Sequence, residues 1–312
     1  MTAHQLASAA GVGSDPKPDR ILVAAELSCL STRSNRQGAL RLGGHLLVLA
    51  ISGYFWTKYP VAIPLLAIYG FSIAAMFAVV HECCHRTAFA NNQANDLVAW
   101  WAGVLSFYNS TFYRRYHKWH HRYTRIPGKD PELTDRTPDS LWRYGLELTG
   151  LPWWWGKLRG HSRIALGILD ECEYIPATAR AEVIRSTRLQ LLVYASAIAI
   201  SVAFAQPWFI NYWLLPLAVG QPILRFILLA EHTGCTLDDN SLTNTRTTLT
   251  WAPLRYLMWN MPFHAEHHLH ASIPFHALPA AHDRLKSHFT KVDRGYVRVN
   301  LGIISKLESL WS

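Results

Sequence analysis

Charged side chains are scarce in this chain of 312 residues, where they make up 16% of the positions, whereas half of the residues are hydrophobic. The scarcity is concentrated in long apolar runs, of the length that crosses a lipid bilayer. A protein that is soluble throughout is therefore disfavoured, and the composition favours an integral membrane protein.

The chain also lacks several patterns that would place its chemistry elsewhere. Its five cysteines form no CxxC pair and no disulfide framework, which favours a reducing compartment and excludes an iron–sulfur or rubredoxin-like carrier within the chain. No GxSxG motif occurs, so a serine hydrolase is disfavoured. Only one ExxH occurs, from Glu82 to His85, whereas a ferritin-like di-iron bundle needs two.

Acidic residues are outnumbered, with 30 Lys and Arg against 21 Asp and Glu, a net charge of +9. Nucleic acid and an anionic membrane face are the two partners that such a charge fits. The basic residues flank the apolar runs, where they are attracted to anionic lipid headgroups. We therefore expect a lipid bilayer as the partner and no nucleic acid.

Four apolar runs are predicted to be membrane-spanning helices, because about 20 residues cross a hydrocarbon core of about 30 Å. The runs cover residues 39–56, 60–80, 189–206 and 208–230. A short turn with Lys58 joins the first two, and an uncharged join connects the last two, so each pair forms a hairpin. The predicted fold class is an all-α integral membrane protein with four transmembrane helices in two hairpins.

The chain then divides into five segments. They are a polar cytoplasmic tail (1–38), a first transmembrane hairpin (39–80), a cytoplasmic segment (81–188), a second hairpin (189–230) and a cytoplasmic C-terminal cap (231–312). Nearly all Lys and Arg lie on one side of the hairpins, which the positive-inside rule makes cytoplasmic together with both termini. In a bacterium, this places the protein in the inner membrane.

Two shorter apolar features lie in the segment between the hairpins. Residues 97–108 are too short to span a bilayer, and we expect them in the interface. Three consecutive tryptophans, Trp153, Trp154 and Trp155, indicate an interfacial belt rather than a substrate wall.

Nine of the 16 histidines lie at metal-ligand spacings, in three clusters and one single position. The sequences HECCH, HKWHH and HAEHH form the clusters, and the single histidine follows the fourth apolar run. The nine are His81, His85, His117, His120, His121, His232, His264, His267 and His268. Positions i, i+3 and i+4 share one helix face, so each cluster aims its imidazoles at one point. Nine ligands exceed what one ion accepts and suit two transition-metal ions.

Two other interpretations of these clusters compete. HECCH matches HExxH, in which two histidines bind zinc and Glu82 acts as general base, as in an intramembrane metalloprotease. A protease needs one further ligand, not seven more histidines. HKWHH, with Arg114, Arg115 and Arg122 around it, also fits a basic patch that binds RNA or lipid headgroups, but HAEHH repeats its spacing elsewhere.

Neutral imidazoles do not offset the charge of two metal ions, so we expect carboxylates to orient the histidines and raise their basicity. Six acidic residues lie near the clusters: Glu82, Asp96, Asp130, Glu132, Glu231 and Glu266. Of these we favour four, Glu82, Asp130, Glu231 and Glu266. Asp130 is the best candidate, and it is equally suited to cap the helix that starts near Pro131.

The three histidine boxes, with an extra histidine about thirty residues before the last, resemble the membrane fatty acid desaturase and hydroxylase superfamily. The resemblance covers roughly residues 40–290. It implies four spans in two hairpins beneath a cytoplasmic helical cap that holds a non-haem di-iron centre. It also implies O2 as co-substrate, attack on an unactivated C–H bond, and the nine histidines above as iron ligands and catalytic residues.

One position departs from the resemblance. Stearoyl-type members carry an Asn one turn before the single histidine, where this chain has Leu228. The segments HECCHRTAF and AEHTGC are similar to bacterial desaturase-like proteins of varied chemistry. Fatty acyl desaturation is the favoured reaction. The alternatives are hydroxylation, alkene-forming fatty acid decarboxylation, carotenoid oxygenation and vinyl-ether-forming desaturation, with the zinc metalloprotease as a distant one.

The electron supply and the substrate contact are the remaining expectations. No HPGG motif of a fused cytochrome b5 occurs, so the resemblance implies a separate donor, a ferredoxin or cytochrome b5 type with its reductase. An acidic donor is attracted to the basic face. Arg225 is the one charge inside the fourth run, and because such a residue is costly in a membrane, we predict that it binds the lipid-soluble acyl substrate. The alternative is that its side chain extends to the interface or forms a pair near the end of the helix.

Overall fold

A computed structural model describes residues 27–136 and 138–309, so most of the predicted polar tail lies outside the described residues. The protein is mostly helical, and four helices are long and apolar enough to cross a membrane. They are Asn35–Lys58, Ile63–Cys84, Ala177–Ala203 and Ile210–His232. The predicted all-α fold with four candidate spans is confirmed at this level. The third helix begins at Ala177, twelve residues before the predicted apolar run. Its first three turns are largely polar, so the apolar run did not include them.

The first two spans consist of α1 (Asn35–Lys58), α2 (Ile63–Ala74) and α3 (Met76–Cys84). The Ser34 side chain begins α1 by accepting a hydrogen bond from the backbone N–H of Gln37 at 3.3 Å. At Ala75 the helix tightens and separates α2 from α3 within one continuous span. The first histidine box therefore stands at the far end of the second span.

The fourth span consists of a π-helical turn at Ile210–Leu214 and α10 (Leu215–His232), after α9 (Ala177–Ala203). Helix α10 crosses α2 so closely that a Cβ on Gly70 would collide with the Pro216 carbonyl, and one on Gly220 with the Gly70 carbonyl. Only glycine permits this approach of two backbones. The crossing brings the ends of α3 and α10, with their histidines, to the same side.

The outer surfaces of α1 and α9 are apolar and exposed. Leu47 and Ile51 on α1 are 59% and 48% exposed, and Leu192 and Ile200 on α9 are 60% and 50% exposed. Contiguous apolar surface of this extent is disfavoured in water but is suited to lipid. These helices, together with the family described below, indicate an integral membrane protein.

Five helices connect α3 to α9. They are α4 (Asn92–Ser106), α5 (Ser110–Tyr123), α6 (Pro131–Arg136), α7 (Leu141–Leu148) and α8 (Leu151–Ala165). Helix α4 contains most of the short apolar run, and at 1.5 Å per residue its 15 residues extend about 22 Å, less than a bilayer core.

The chain after α10 folds into short elements. They are β1 (Thr247–Leu249), α11 (Ala252–Leu257), α12 (His264–Leu269), α13 (Leu278–Leu285), β2 (Val292–Arg294) and α14 (Tyr296–Ser309). The two strands pair in parallel, with Thr247 opposite Val292, and form one small sheet that an all-α prediction does not include. Next to this sheet, Arg246 donates hydrogen bonds to the Ala230 carbonyl and to the Asp293 carboxylate, which positions the segment after α10.

Candidate metal centre

The nine histidines belong to four helices that meet at one end of the spans. His81 lies in the last turn of α3 and His85 just beyond it, His232 ends α10, and the two HxxHH boxes lie on α5 and α12. The Asn109 side chain begins α5 by accepting from the backbone N–H of Phe112 at 2.9 Å. This cap sets the start of the helix, so its three histidines project from one face toward α3 and α12.

Five imidazoles form a first group: His81, His85, His117, His121 and His267. One nitrogen from each lies within 4.8 Å of those of the others. The ring centres of His81 and His267 are 4.5 Å apart, and those of His85 and His121 are 4.6 Å apart. The first box and parts of the second and third boxes therefore share one point.

A second group contains His120, His232 and His268, again with ligand atoms within 4.8 Å of one another. His264 adjoins it, since its Nε2 is 3.2 Å from Nε2 of His232 and 3.1 Å from Nε2 of His268. The single histidine at the end of α10 thus meets members of the second and third boxes. The structure brings all nine sequence-predicted histidines together in two adjoining groups.

Burial keeps most of these imidazoles neutral. Burial, followed by the charges of neighbouring His120 and Arg114, lowers the pKa of His85 to about 3. Burial and the neighbouring imidazoles likewise lower the pKa values of His121, His267 and His268 well below the ordinary value. Neutral imidazole is the form that binds a metal ion.

The nitrogen atoms of the cluster fit metal ions and not one another. Nε2 of His121 is 3.0 Å from Nε2 of His117 and 3.1 Å from Nε2 of His267. Because a nitrogen of a neutral imidazole offers either one N–H or one lone pair, Nε2 of His121 cannot form both hydrogen bonds. Among the residues that the structure describes, the buried Nε2 atoms of His85 and His120 have no hydrogen-bond partner. Lone pairs that converge in this way are satisfied by a cation between them, so the donor set passes the test for transition-metal sites.

Asp130 is the carboxylate in closest contact with the nine histidines. Its Oδ1 lies 2.8 Å from Nδ1 of His120 and accepts from the backbone N–H of Glu132 at 2.9 Å, while Oδ2 accepts from the N–H of Arg125 at 2.8 Å. Burial alone raises the pKa of Asp130, but the bonds from His120 and the backbone outweigh it and lower the pKa. Asp130 therefore both orients His120 and caps α6.

Two glutamates stand near the second group. Oε2 of Glu231 is 3.5 Å from Nε2 of His264, and its buried Oε1 has no hydrogen-bond partner in residues 27–136 and 138–309. Glu132 lies 3.6 Å from Nδ1 of His117 and 3.7 Å from Nε2 of His120. Although burial lowers the pKa of His120, Glu132 and Asp130 raise it overall. Sequence reasoning ranked Glu132 below Asp130, because only the fold shows that both point toward the cluster.

Glu82, Glu266 and Asp96 form their hydrogen bonds and ion pairs with residues other than the nine histidines. Oε1 of Glu82 accepts from the backbone N–H of Phe275 at 2.9 Å. Glu266 contacts His282 through Oε1 at 2.5 Å and accepts from the Thr247 hydroxyl through Oε2. Both are buried, and each ties a histidine box to a neighbouring segment. Asp96 instead forms ion pairs with two arginines, Arg86 and Arg114.

Two orienting contacts were not predicted. Nδ1 of His232 lies 3.2 Å from the carbonyl oxygen of Asn244, and Nδ1 of His268 lies 3.2 Å from the hydroxyl of Thr124. Each leaves Nε2 of the ring directed to the cluster. The carbonyl of Asn244, twelve residues after His232, could not be recognised from the sequence. Thr124 lies four residues after His120, a spacing that could have indicated its place beside the second box.

A cavity of about 290 Å³ opens beside the histidines. His81, His117, His120, His232 and His264 form part of its wall. The rest of the wall includes Arg225, the predicted substrate residue, and Leu228, the residue at the position of the Asn in stearoyl-type members. Trp153, predicted as interfacial, is instead 2% exposed and packs behind this wall, whereas Trp155 is 69% exposed.

Comparison with known proteins agrees with this site. The family model described as "Fatty acid desaturase" matches residues 54–300, which include all nine histidines. An sn-1 oleoyl-lipid 12-desaturase of Picosynechococcus sp. is 23% identical over 268 residues, covering 79% of this chain and 74% of the relative. The sphingolipid delta(4)-desaturase DES1 of Xenopus tropicalis is 27% identical over 218 residues, covering 66% of this chain and 59% of the relative. The chain belongs to the fatty acid desaturase family and is an oxidoreductase of the desaturase type, as the histidine boxes predicted.

Proposed function

We propose that the protein is an O2-dependent di-iron oxidoreductase that removes two hydrogens from neighbouring carbons of an aliphatic acyl chain. The observation that carries this proposal is the division of nine histidines into adjoining groups of five and four. The nine imidazoles would hold two iron ions, one in each group, since imidazole suits iron and the donors are largely neutral. Two ferrous ions, when bound, supply O2 activation next to the cavity.

The reaction balances with an external source of electrons. The substrate loses two hydrogens, O2 accepts these together with two electrons from the donor and two protons from solvent, and two waters form. The same inputs with one C–H bond broken give an alcohol and one water. Desaturation is favoured because both relatives are named desaturases, and the alternatives differ in the mass of the product.

The protein side chains hold and shield this chemistry. Asp130 fixes the ring of His120 through its Nδ1 and so directs Nε2 to the second group. Asp130 adds negative charge next to the imidazole of His120 and offsets part of the charge of the ions. Buried helices exclude bulk water from the cluster, which limits the loss of reactive species.

The metalloprotease interpretation of HECCH fits this geometry poorly. A catalytic zinc site keeps three protein ligands and one open position, whereas the first group consists of five histidines. The carboxylate of Glu82 is bonded to the N–H of Phe275, and it takes part in none of the possible metal groups found among the described residues. Glu82 is therefore not placed as a general base.

A purified-enzyme experiment tests the function. We expect detergent-solubilised protein from iron-replete cells to contain about two irons per chain. With an acyl substrate, a reductant and a ferredoxin-type carrier, we expect product that has lost two hydrogens, detected by mass spectrometry. Omitting O2 or the reductant is expected to stop the reaction. One zinc per chain, or turnover without O2, would contradict the proposal.

The membrane arrangement is part of the proposal. The turns at residues 59–62 and 204–209 are short, so each pair of spans fits a hairpin, with residues 81–188 and 231–312 on the side of the metal centre. Most Lys and Arg lie on that side, which makes it cytoplasmic by the positive-inside rule. In a bacterium, the metal centre would face the cytoplasm from the inner membrane, accessible to an acidic electron donor.

Topology mapping tests this arrangement. Reporter tags after residue 20, near residue 135 and at the C-terminus are expected to report the cytoplasm, and a tag near Gln206 the opposite side. A control tag in the turn near Lys58 should agree with the tag near Gln206. A cytoplasmic result at Gln206 would rule out the second hairpin.

A further inference from the structure

Arg225 is a buried cation whose hydrogen-bonding capacity is mostly unused. It lies within α10 and is 3% exposed. Its Nη2 donates to the hydroxyl of Tyr108 at 3.2 Å, but its buried Nε has no hydrogen-bond partner within the described part of the chain. Among the described residues it forms no ion pair with a carboxylate. A guanidinium has five N–H donors, and leaving them unpaired inside a membrane protein is costly.

Tyr108 presents a second unused donor beside Arg225. Its hydroxyl oxygen accepts hydrogen bonds from Nη2 of Arg225 and, at 3.0 Å, from Nε1 of Trp153. Both lone pairs are then occupied, so the hydroxyl can act further only as a donor. No acceptor for that hydrogen lies among the residues that the structure describes.

Two cationic side chains, Lys157 and Arg225, lie at this part of the wall, which also includes the carboxylates of Glu147 and Glu231. The ammonium of Lys157 lies 3.4 Å from the centre of the Tyr108 ring. The guanidinium carbon of Arg225 lies 5.9 Å from the centre of the Trp153 ring. Arg225, Tyr108 and Lys157 all line the cavity that the histidines line. The guanidinium of Arg225 and the hydroxyl of Tyr108 supply hydrogen-bond donors for an anion at this place.

We propose that Arg225 and Tyr108 bind the anionic end of the aliphatic substrate, a carboxylate or a phosphate, inside the cavity. This inference rests on the proposed function and specifies its substrate class. The planar guanidinium fork matches either anion in two parallel hydrogen bonds. The substrate is then an aliphatic acid that enters with its charged end first, and not a neutral hydrocarbon or a neutral ester.

The position of the anion site limits where the chain is oxidised. The ring centre of Phe77 lies 4.5 Å from that of Tyr108 and 6.2 Å from that of His81. One intervening ring therefore connects Tyr108, at the anion site, to the nearest histidines. Three backbone bonds span 3.8 Å, so an extended chain advances roughly 1.2 Å per bond. The oxidised carbon is therefore expected within about the first nine carbons of the chain. The cavity volume of about 290 Å³ also suits a short stretch of chain.

Binding measurements test the anion site without turnover. The full-length iron-loaded protein, kept anaerobic, is titrated with octanoate, octyl phosphate and methyl octanoate. We expect octanoate or octyl phosphate to bind at least about tenfold more tightly than the ester, because only the anions form charge-assisted hydrogen bonds. Whichever anion binds more tightly identifies the end group. Equal binding of all three would overturn the proposal.

Variants assign the preference to its residues. Arg225→Gln should remove the preference for the anion, Arg225→Lys should keep part of it, and Tyr108→Phe should lower it severalfold. Arg188→Gln is the matched control, because Arg188 also donates one hydrogen bond, to the Ala165 carbonyl, but lies exposed on α9. If Arg225→Gln does not accumulate, Tyr108→Phe decides. An unchanged preference in the variants would overturn the assignment.

The position of oxidation gives a separate result. When wild-type enzyme turns over a long-chain acid, we expect the new double bond or hydroxyl within about nine carbons of the acidic end, because an extended chain advances roughly 1.2 Å per bond. Oxidation near the methyl end would overturn the proposed orientation even if the enzyme is a desaturase. Failure of any O2-dependent oxidation would instead count against the proposed function, while the anaerobic titrations would still decide the anion site.

Discussion

Replacing His267 by alanine is expected to remove detectable turnover and to lower the iron content of the purified protein. His267 is 1% exposed and belongs to the five-membered group, where its ring centre lies 4.5 Å from that of His81 and 4.6 Å from that of His85. Losing a group that merely orients a ligand costs about 10–100-fold in metal affinity or activity, so losing a ligand should cost at least that much.

The two groups are expected to respond separately. His267→Ala should empty the first group and His120→Ala the second, so each variant should keep about one iron per chain, as ion-by-ion binding to separate sites implies. His288→Ala is the matched control, because His288 is exposed and belongs to neither group. Iron analysis with a spectroscopic count of coupled and uncoupled iron distinguishes the sites. Full activity of His267→Ala would remove the first group from the reaction.

The sequence alone predicted the elements that depend on local patterns. Apolar runs of sufficient length predicted four spans, and helical spacing of histidines predicted boxes with one ligand face each. The boxes also identified the family. These features could be found because each rests on residues three or four positions apart or on one uninterrupted run.

The division into groups of five and four could not be predicted from spacing. His120 and His121 are neighbours in the sequence, yet one belongs to the second group and the other to the first. Which one faces which group depends on the rotation of α5 relative to α3 and α12. That rotation is set by long-range packing of α5 against α3, α4 and α9.

Contacts of the carboxylates were equally inaccessible. Asp130 and Glu266 both lie next to histidine boxes in the sequence, yet Asp130 contacts a box histidine and Glu266 contacts His282 on α13. The unused donors of Arg225 and Tyr108 are 117 positions apart in the chain. Pairs at such separation leave no periodic signal in a single sequence.

Substituting Asp130 by asparagine is expected to have the second-largest effect, a loss of about 10–100-fold in metal affinity. The carboxylate accepts from His120 Nδ1 and from the N–H groups of Arg125 and Glu132 with its two oxygens. An asparagine has one oxygen and one NH2 group. Whichever way the amide turns, its NH2 faces an N–H donor, and the negative charge that raises the basicity of His120 is lost.

Chelator competition measures this effect directly. The iron-loaded Asp130→Asn protein should release metal from the second group at a lower chelator concentration than the wild type, while the first group is retained. Circular dichroism at matched temperature checks that α6, which Asp130 caps, still allows the protein to fold. Asp283→Asn, at an exposed position that pairs with Lys286, should behave as wild type. Equal release from the wild type and Asp130→Asn would show that Asp130 only caps the helix.

Glu82 provides a control for Asp130, because it is a buried carboxylate that accepts from a backbone N–H and not from a histidine of the two groups. Glu82 is 3% exposed and lies between two histidines of the first box, but its Oε1 accepts from the N–H of Phe275. In Glu82→Gln the amide oxygen can keep that bond, so metal affinity should change by less than about tenfold, the lower limit for a group that orients a ligand. A metalloprotease would lose its general base in this variant, whereas an O2-dependent desaturase should keep most of its turnover. Retained desaturation in Glu82→Gln, beside weakened iron binding in Asp130→Asn, is the result that the geometry predicts.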